Sequence, residues 1–159
     1  MVAVSNRIFE TERLRLREFV ETDFDDVYSM LSDPIAMKYY PNPYTREHVR
    51  KWEDTGIERY QRHGHGLWVN ELKDDNSFVG YVGLINHEID EVAEIEIGYM
   101  LKKEFWGKGY ATEAAHGCKN YGFEILKQTK LVSFIDPANL PSKRVAERIG
   151  MGFERSAFI

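Results

Sequence analysis

Trp106-Gly107-Lys108-Gly109-Tyr110-Ala111 lies between a strand-like run that ends at Leu101 and a helical stretch that starts at Ala111. Glycines at 107 and 109 let the backbone turn sharply and approach a ligand with no side chain in the way. The helix that follows offers unpaired N–H groups and the positive end of its dipole, a natural seat for phosphate. Lys108 adds a cation to the loop. A strand, a glycine loop and a helix in that order point to a phosphate-bearing ligand. The Walker pattern is not met, and the dinucleotide fingerprint fails because position 112 is Thr where a third glycine belongs. A tight loop with two turn glycines and no ligand fits the same residues.

Working outward, Ala93 to Leu101 alternates Glu94 and Glu96 against Ile95 and Ile97 and predicts a strand. Leu67 to Leu72 and Phe78 to Asn86 predict two more, joined by the polar turn Lys73-Asp74-Asp75-Asn76-Ser77. Leu14-Arg15-Leu16-Arg17 predicts a short edge strand. Asp23 offers a cap for a helix with Phe24, Val27, Tyr28 and Leu31 on one stripe, and Pro34 closes it. A second helix runs from Thr45 to about Arg62, and His63-Gly64-His65-Gly66 is a turn. After the glycine loop come a helix over 111–127, a short strand over Leu131 to Ile135 and a helix from Asn139 that Gly150 closes in a left-handed conformation. A last strand starts within Met151 to Ile159. This order predicts an α+β (mixed α/β) fold, one sheet with helices on its faces.

The 159 residues predict one domain over 1–159, with enough chain for a real core. No run nears the apolar length of a membrane helix. Met1 to Arg7 lacks the pattern of a secretory leader, so the expected location is cytoplasmic. A net charge of -5 disfavours nucleic-acid binding as the main role and mildly suits a cationic partner. Cys118, the one cysteine, excludes an internal disulfide; it lies on the apolar stripe of its helix and reads as a small core residue.

Trp106-Gly107-Lys108-Gly109-Tyr110-Ala111-Thr112-Glu113-Ala114 resembles the pyrophosphate loop of the GNAT N-acetyltransferase superfamily, with Gly109 and Ala111 at the last two signature positions. Trp106 in place of the usual Gln or Arg resembles the branch that acetylates ribosomal-protein N-termini (RimJ/RimL-like). Thr11-Glu12-Arg13-Leu14, Gly66-x-Trp68, Glu96-Ile97-Gly98-Tyr99, Asn139-x-x-Ser142 and Ile149-Gly150-Met151-Gly152-Phe153 extend the likeness over nearly the whole chain. The resemblance implies a central, mostly antiparallel twisted sheet flanked by about four helices, and acetyl-coenzyme A as co-substrate with no metal. It implies that backbone N–H groups of Trp106, Gly107, Lys108, Gly109, Tyr110, Ala111 and Thr112 hold the pyrophosphate. Tyr99, Met100 and Leu101 pair with the pantetheine arm, and one N–H there polarises the thioester carbonyl. The family's terminal strand hairpin has no room before Ile159, which sets up an exposed edge and an expectation of homodimerisation.

An ammonium acceptor must lose a proton to attack. Glu96 and Glu94 share one strand face, and a carboxylate beside another holds its proton more readily, which suits a base near neutrality. Two solvent-facing carboxylates would fit the same spacing. By resemblance Ser142 donates to the departing sulfur, while Asn139 positions the coenzyme or braces the loop. Helix capping alone also accounts for both residues. His63 and His65 flank glycines without further metal ligands, and His87 reads as a surface or packing residue. Tyr39, Tyr40 and Tyr44 sit where the family shapes its acceptor pocket. The expected function is acetyl transfer from acetyl-coenzyme A to a primary amine by direct attack in a ternary complex. The alternative is a non-catalytic module that senses acyl-coenzyme A.

Overall fold

The computed structural model describes residues 6–156; the leader reading of residues 1–5 and the end of the expected last strand lie outside the described residues. Its elements are β1 (Arg7–Glu10), β2 (Leu14–Arg17), α1 (Phe24–Leu31), α2 (Arg46–His63), β3 (Leu67–Leu72), β4 (Phe78–Ile89), β5 (Val92–Leu101), α3 (Tyr110–Glu124) and α4 (Leu140–Arg148). The five strands form one sheet in the order β1-β2-β3-β4-β5, each antiparallel to its neighbour. Side chains alternate between its faces, so one face takes α2 and the other takes α3. On the first, Tyr81 of β4 packs on Trp52 of α2 at 4.9 Å, and Trp52 meets Phe19 edge-on. On the second, the fully buried Trp68 of β3 meets Tyr121 of α3 at 5.2 Å and Phe9 of β1 at 6.0 Å. Small residues let α3 lie close, since Ala114, Ala115 and Cys118 face the sheet and are essentially fully buried.

Local signals placed the helix ends. Thr45 caps α2 by accepting the His48 N–H at 3.2 Å, and Gly64 closes it at φ +77°. Asn139 caps α4 by accepting the Ser142 N–H, and Gly150 follows that helix at φ +92°. Lys119 of α3 donates to the Ile149 carbonyl at 2.7 Å and ties α3 to the end of α4.

One strand is added and three expectations change. Arg7–Glu10 is the added strand: a four-residue edge strand carries little periodicity of its own and is defined by its pairing with β2. Leu131 to Ile135 does not form a strand beyond one parallel bridge between Val132 and Glu96, because side chains take the bonds a ladder would use. Asp23 precedes α1 but does not cap it. Its carboxylate receives both guanidinium nitrogens of Arg17 at 2.8 Å and the Val20 N–H at 2.8 Å. Residues 151–156 carry no strand.

Candidate active site

The outer edge of β5 is shared between two neighbours and a gap. The Ile97 N–H donates to the Val132 carbonyl at 2.7 Å, and the Val132 N–H donates to the Ile95 carbonyl at 3.0 Å. Antiparallel alternation then turns the backbone groups of Tyr99 and Leu101 outward too, while those of Met100 pair with Tyr81 of β4. Past Ile97 the neighbouring segment leaves the edge. Ser133 Oγ donates to the Ile97 carbonyl at 2.7 Å, and the Phe134 N–H turns to Glu96 Oε2 at 2.8 Å. The Tyr99 N–H and carbonyl and the Leu101 N–H therefore open on a gap, with no backbone partner among the described residues. The Leu101 carbonyl accepts from the Trp106 indole at 2.9 Å, which fixes where the chain leaves the strand.

That departure leads directly into the glycine loop. Gly107 and Gly109 stand at φ +75° and +83°, conformations costly for any residue with a Cβ. Gly109 is the residue preceding α3, and no side chain caps that helix. The amides of residues 107–112 donate to no protein acceptor among the described residues. The result is a cluster of free N–H groups at the positive end of a 15-residue helix.

The loop is braced from the far end of the chain. Glu113, in the first turn of α3, accepts from Thr11 Oγ1 at 2.5 Å, from the Arg13 N–H at 2.9 Å and from Arg13 Nε at 2.7 Å. Arg13 Nη1 donates to the Lys108 carbonyl at 2.9 Å, and its guanidinium lies 4.3 Å over the Tyr110 ring. Burial alone would raise the Glu113 carboxyl, but the Thr11 hydroxyl and the Arg13 donors together hold it below the usual carboxylate range. Thr11, Arg13 and Glu113 were not singled out individually from the sequence; their only signal was a Thr-x-Arg pattern some hundred residues before the glutamate.

The two candidate carboxylates part company. Glu94 turns to Lys130, 3.4 Å away, and lines an apolar groove of about 630 Å³ between α3, α4 and residues 129–135; the glycine loop, Glu96 and Ser142 do not line that groove. Glu96 instead lies 2.9 Å from His87 Nε2 through Oε1 and accepts the Phe134 N–H through Oε2. Tyr40, Tyr81 and Tyr99 all stand close enough to feel its charge. Burial raises each of these phenols: Tyr99 is pushed up to about 12, partly offset by Ser142, and Tyr81 lies well above its ordinary value. Tyr40 leaves 44% of its surface open, and desolvation raises its phenol. Tyr44 adds a further hydroxyl near Tyr40 and Tyr81 and stacks on His48 at 3.7 Å.

Asn139 and Ser142 meet this site from α4. The Tyr99 hydroxyl donates to the Ser142 carbonyl at 2.6 Å, which holds the start of α4 against the open edge of β5. Asn139 spends its side-chain oxygen on the helix cap. The Ser142 hydroxyl makes no hydrogen bond with the protein among the described residues. Cys118 is fully buried in α3 and its thiol is pushed up by burial, which suits a core residue. The expected residues thus gather along one path, from Glu96 and Tyr99 on β5 through Trp106 to the amides of residues 107–112, with Ser142 across the gap. Glu94 and the side chain of Met100, which is buried against Tyr81, stand outside it.

A sheet edge left open at Tyr99 and Leu101 thus runs directly into a helix start whose amides are free, the two features this chain offers an extended, phosphate-bearing ligand. The chain belongs to the acetyltransferase (GNAT) domain family, whose model matches residues 13–152. It is 36% identical over 147 residues to the uncharacterized protein YkkB of Bacillus subtilis, covering 92% of this chain and 86% of that one. Among solved structures it resembles a GNAT-family acetyltransferase from Bacillus anthracis, with a TM-score of 0.80 and 31% identity over 92% of this chain and 84% of that one. It also shares its fold with RimL, a ribosomal L7/L12 alpha-N-protein acetyltransferase solved in complex with coenzyme A, at a TM-score of 0.73 and 19% identity over 91% and 83% of the two chains. The chain is accordingly an acetyltransferase of the N-acetyltransferase kind.

Proposed function

We propose that residues 1–159 work as one domain that transfers the acetyl group of acetyl-coenzyme A to a cationic primary amine by direct attack. The observation that carries this is the continuity of the unpaired Tyr99 and Leu101 backbone groups with the free amides of residues 107–112. The pantetheine amides pair with the Tyr99 and Leu101 edge as an added strand would. The pyrophosphate takes the loop amides and the helix dipole. The acetyl carbonyl then lies by the Tyr99 N–H, which stabilises the oxygen as negative charge builds during attack.

On the other side of the thioester, Glu96 and the hydroxyl-bearing rings of Tyr40, Tyr44 and Tyr81 favour an ammonium group, through one carboxylate and several aromatic faces. Glu96 is the group assigned to take the proton the amine sheds, and Ser142 the one to donate to the sulfur. Glu94, nearly buried and paired with Lys130 in the separate groove, is assigned no part in the chemistry. Purified protein given acetyl-coenzyme A and a panel of peptides with free N-termini, polyamines and amino acids is expected to release free thiol with at least one amine. Tight coenzyme A binding with no thiol release across the panel would instead mark a sensing module. Ser142→Ala is expected to lower kcat with coenzyme affinity unchanged, and full turnover would remove Ser142 from the mechanism.

A further inference from the structure

Glu96 can act as a base only if it is ionised and aimed when the amine arrives, and the structure shows what aims it. One oxygen accepts the Phe134 N–H at 2.8 Å, and the other lies 2.9 Å from His87 Nε2. The bond to His87 runs between β4 and β5 on a single sheet face, where His87 stands opposite Glu94 and Ile85 opposite Glu96. The His87 ring is held edge-on against the Phe134 ring at 5.2 Å and 80°. The imidazole is thus fixed by packing before it meets the carboxylate. An ionised carboxylate only accepts, so in this pairing Nε2 carries the hydrogen. His87 is the more open of the pair, with 28% of its side chain exposed against 14% for Glu96.

We propose that His87 is a positioning residue for Glu96, and this rests on the acetyl-transfer function above. The Nε2–H donor holds one carboxylate oxygen while the Phe134 N–H holds the other, so the carboxylate keeps a single orientation beside the open edge of β5. In the step it serves, the amine nitrogen forms a bond to the thioester carbon and the carbon–sulfur bond breaks with its electron pair going to sulfur. The nitrogen's proton passes to Glu96, directly or through one water, and the thiolate takes a proton from Ser142 or solvent. His87 keeps its own proton throughout. The other titratable groups facing Glu96 are the Tyr40, Tyr81 and Tyr99 hydroxyls, with Glu94 next to it along β5 and already paired with Lys130.

The test separates the donor from the ring. His87→Phe keeps a ring against Phe134 without a donor, and His87→Gln keeps a donor without a ring; His87→Ala stands in if the Phe variant does not fold. Loss of the donor is expected to lower kcat at least about tenfold with the KM for acetyl-coenzyme A unchanged. His87→Gln should restore most of the rate. Wild-type kcat in the donor-less variant would overturn the proposal. So would a Gln variant as slow as the Phe variant, since the imidazole would then be needed for more than its hydrogen bond. A wild-type protein that binds coenzyme A but acetylates no amine removes the transfer function, and the role of His87 with it.

Discussion

Glu113→Gln tests whether the glycine loop is held ready for its ligand by a brace some hundred residues away in sequence. Glu113 accepts three hydrogen bonds, from Thr11 Oγ1, the Arg13 N–H and Arg13 Nε. A glutamine keeps the shape but loses the charge, and its NH2 must face at least one of those donors. A hydrogen bond to a charged group contributes about 1.5–3 kcal/mol. With 42% of the Arg13 side chain exposed, solvent screening leaves about 1–2 kcal/mol. Arg13 also grips the Lys108 carbonyl, so that loss falls on the loop. Coenzyme A would then have to order the loop as it binds, which weakens affinity by about 5- to 30-fold. Titration calorimetry with coenzyme A, and with phosphate-free pantetheine as control, reads this out: the first should weaken and the second should not. A coenzyme A Kd within about twofold of the native value, with the fold intact by circular dichroism, would refute the brace. The sign with pH is also set. A carboxyl held below its usual range contributes its stability above the unfolded value and loses it as pH falls through the folded one. The difference between native and Gln proteins should therefore persist at neutral pH and vanish in acid.

Gly109→Ala places a Cβ at φ +83° and 3.3 Å from Arg13 Nη2, so it should cost about 1–2 kcal/mol in the loop and weaken coenzyme A about tenfold by calorimetry. The Glu53 carboxyl on α2 is pushed up to about 7 by burial first and then by Asp23, against a relieving Arg50. The native state thus holds this proton more tightly than the unfolded chain, and stability falls as pH rises from 4.5 through about 7. With the group only part-buried, Glu53→Gln should gain about 1 kcal/mol, or about 2–4 °C in Tm, at pH 8 and nothing near pH 4. An equal gain at both would show that Glu53 is not the titrating group. Cys118 should resist thiol reagents in the folded protein and react only on denaturation, because it is fully buried with its thiol pushed up.

The parts of this protein legible in its sequence are those written in short windows. The alternation of Ala93 to Leu101, the capping Thr45 and Asn139, and the left-handed glycines at 64, 109 and 150 each act within a few residues, and each took the structure expected. The strand–glycine loop–helix unit belongs to the same class, and its backbone took the turn expected of it. The brace on that loop could not. Thr11, Arg13 and Glu113 meet only because the β1–β2 turn and the start of α3 come together at one end of the sheet, and nothing in either segment names the other. Glu94 and Glu96 look equivalent in sequence, sharing a face at a spacing of two. Only the approach of residues 130–134 sends one to Lys130 and leaves the other between Phe134 and His87. That same approach, with its bonds spent on the Ile97 carbonyl and the Glu96 carboxylate, stops Leu131 to Ile135 from closing the sheet and opens the edge at Tyr99. Backbone conformation follows local sterics and capping, so the sequence alone determined where the loop and the helix start would stand. The partners of polar side chains depend on which segments the packed core brings within about 3 Å, and that only the tertiary structure decided.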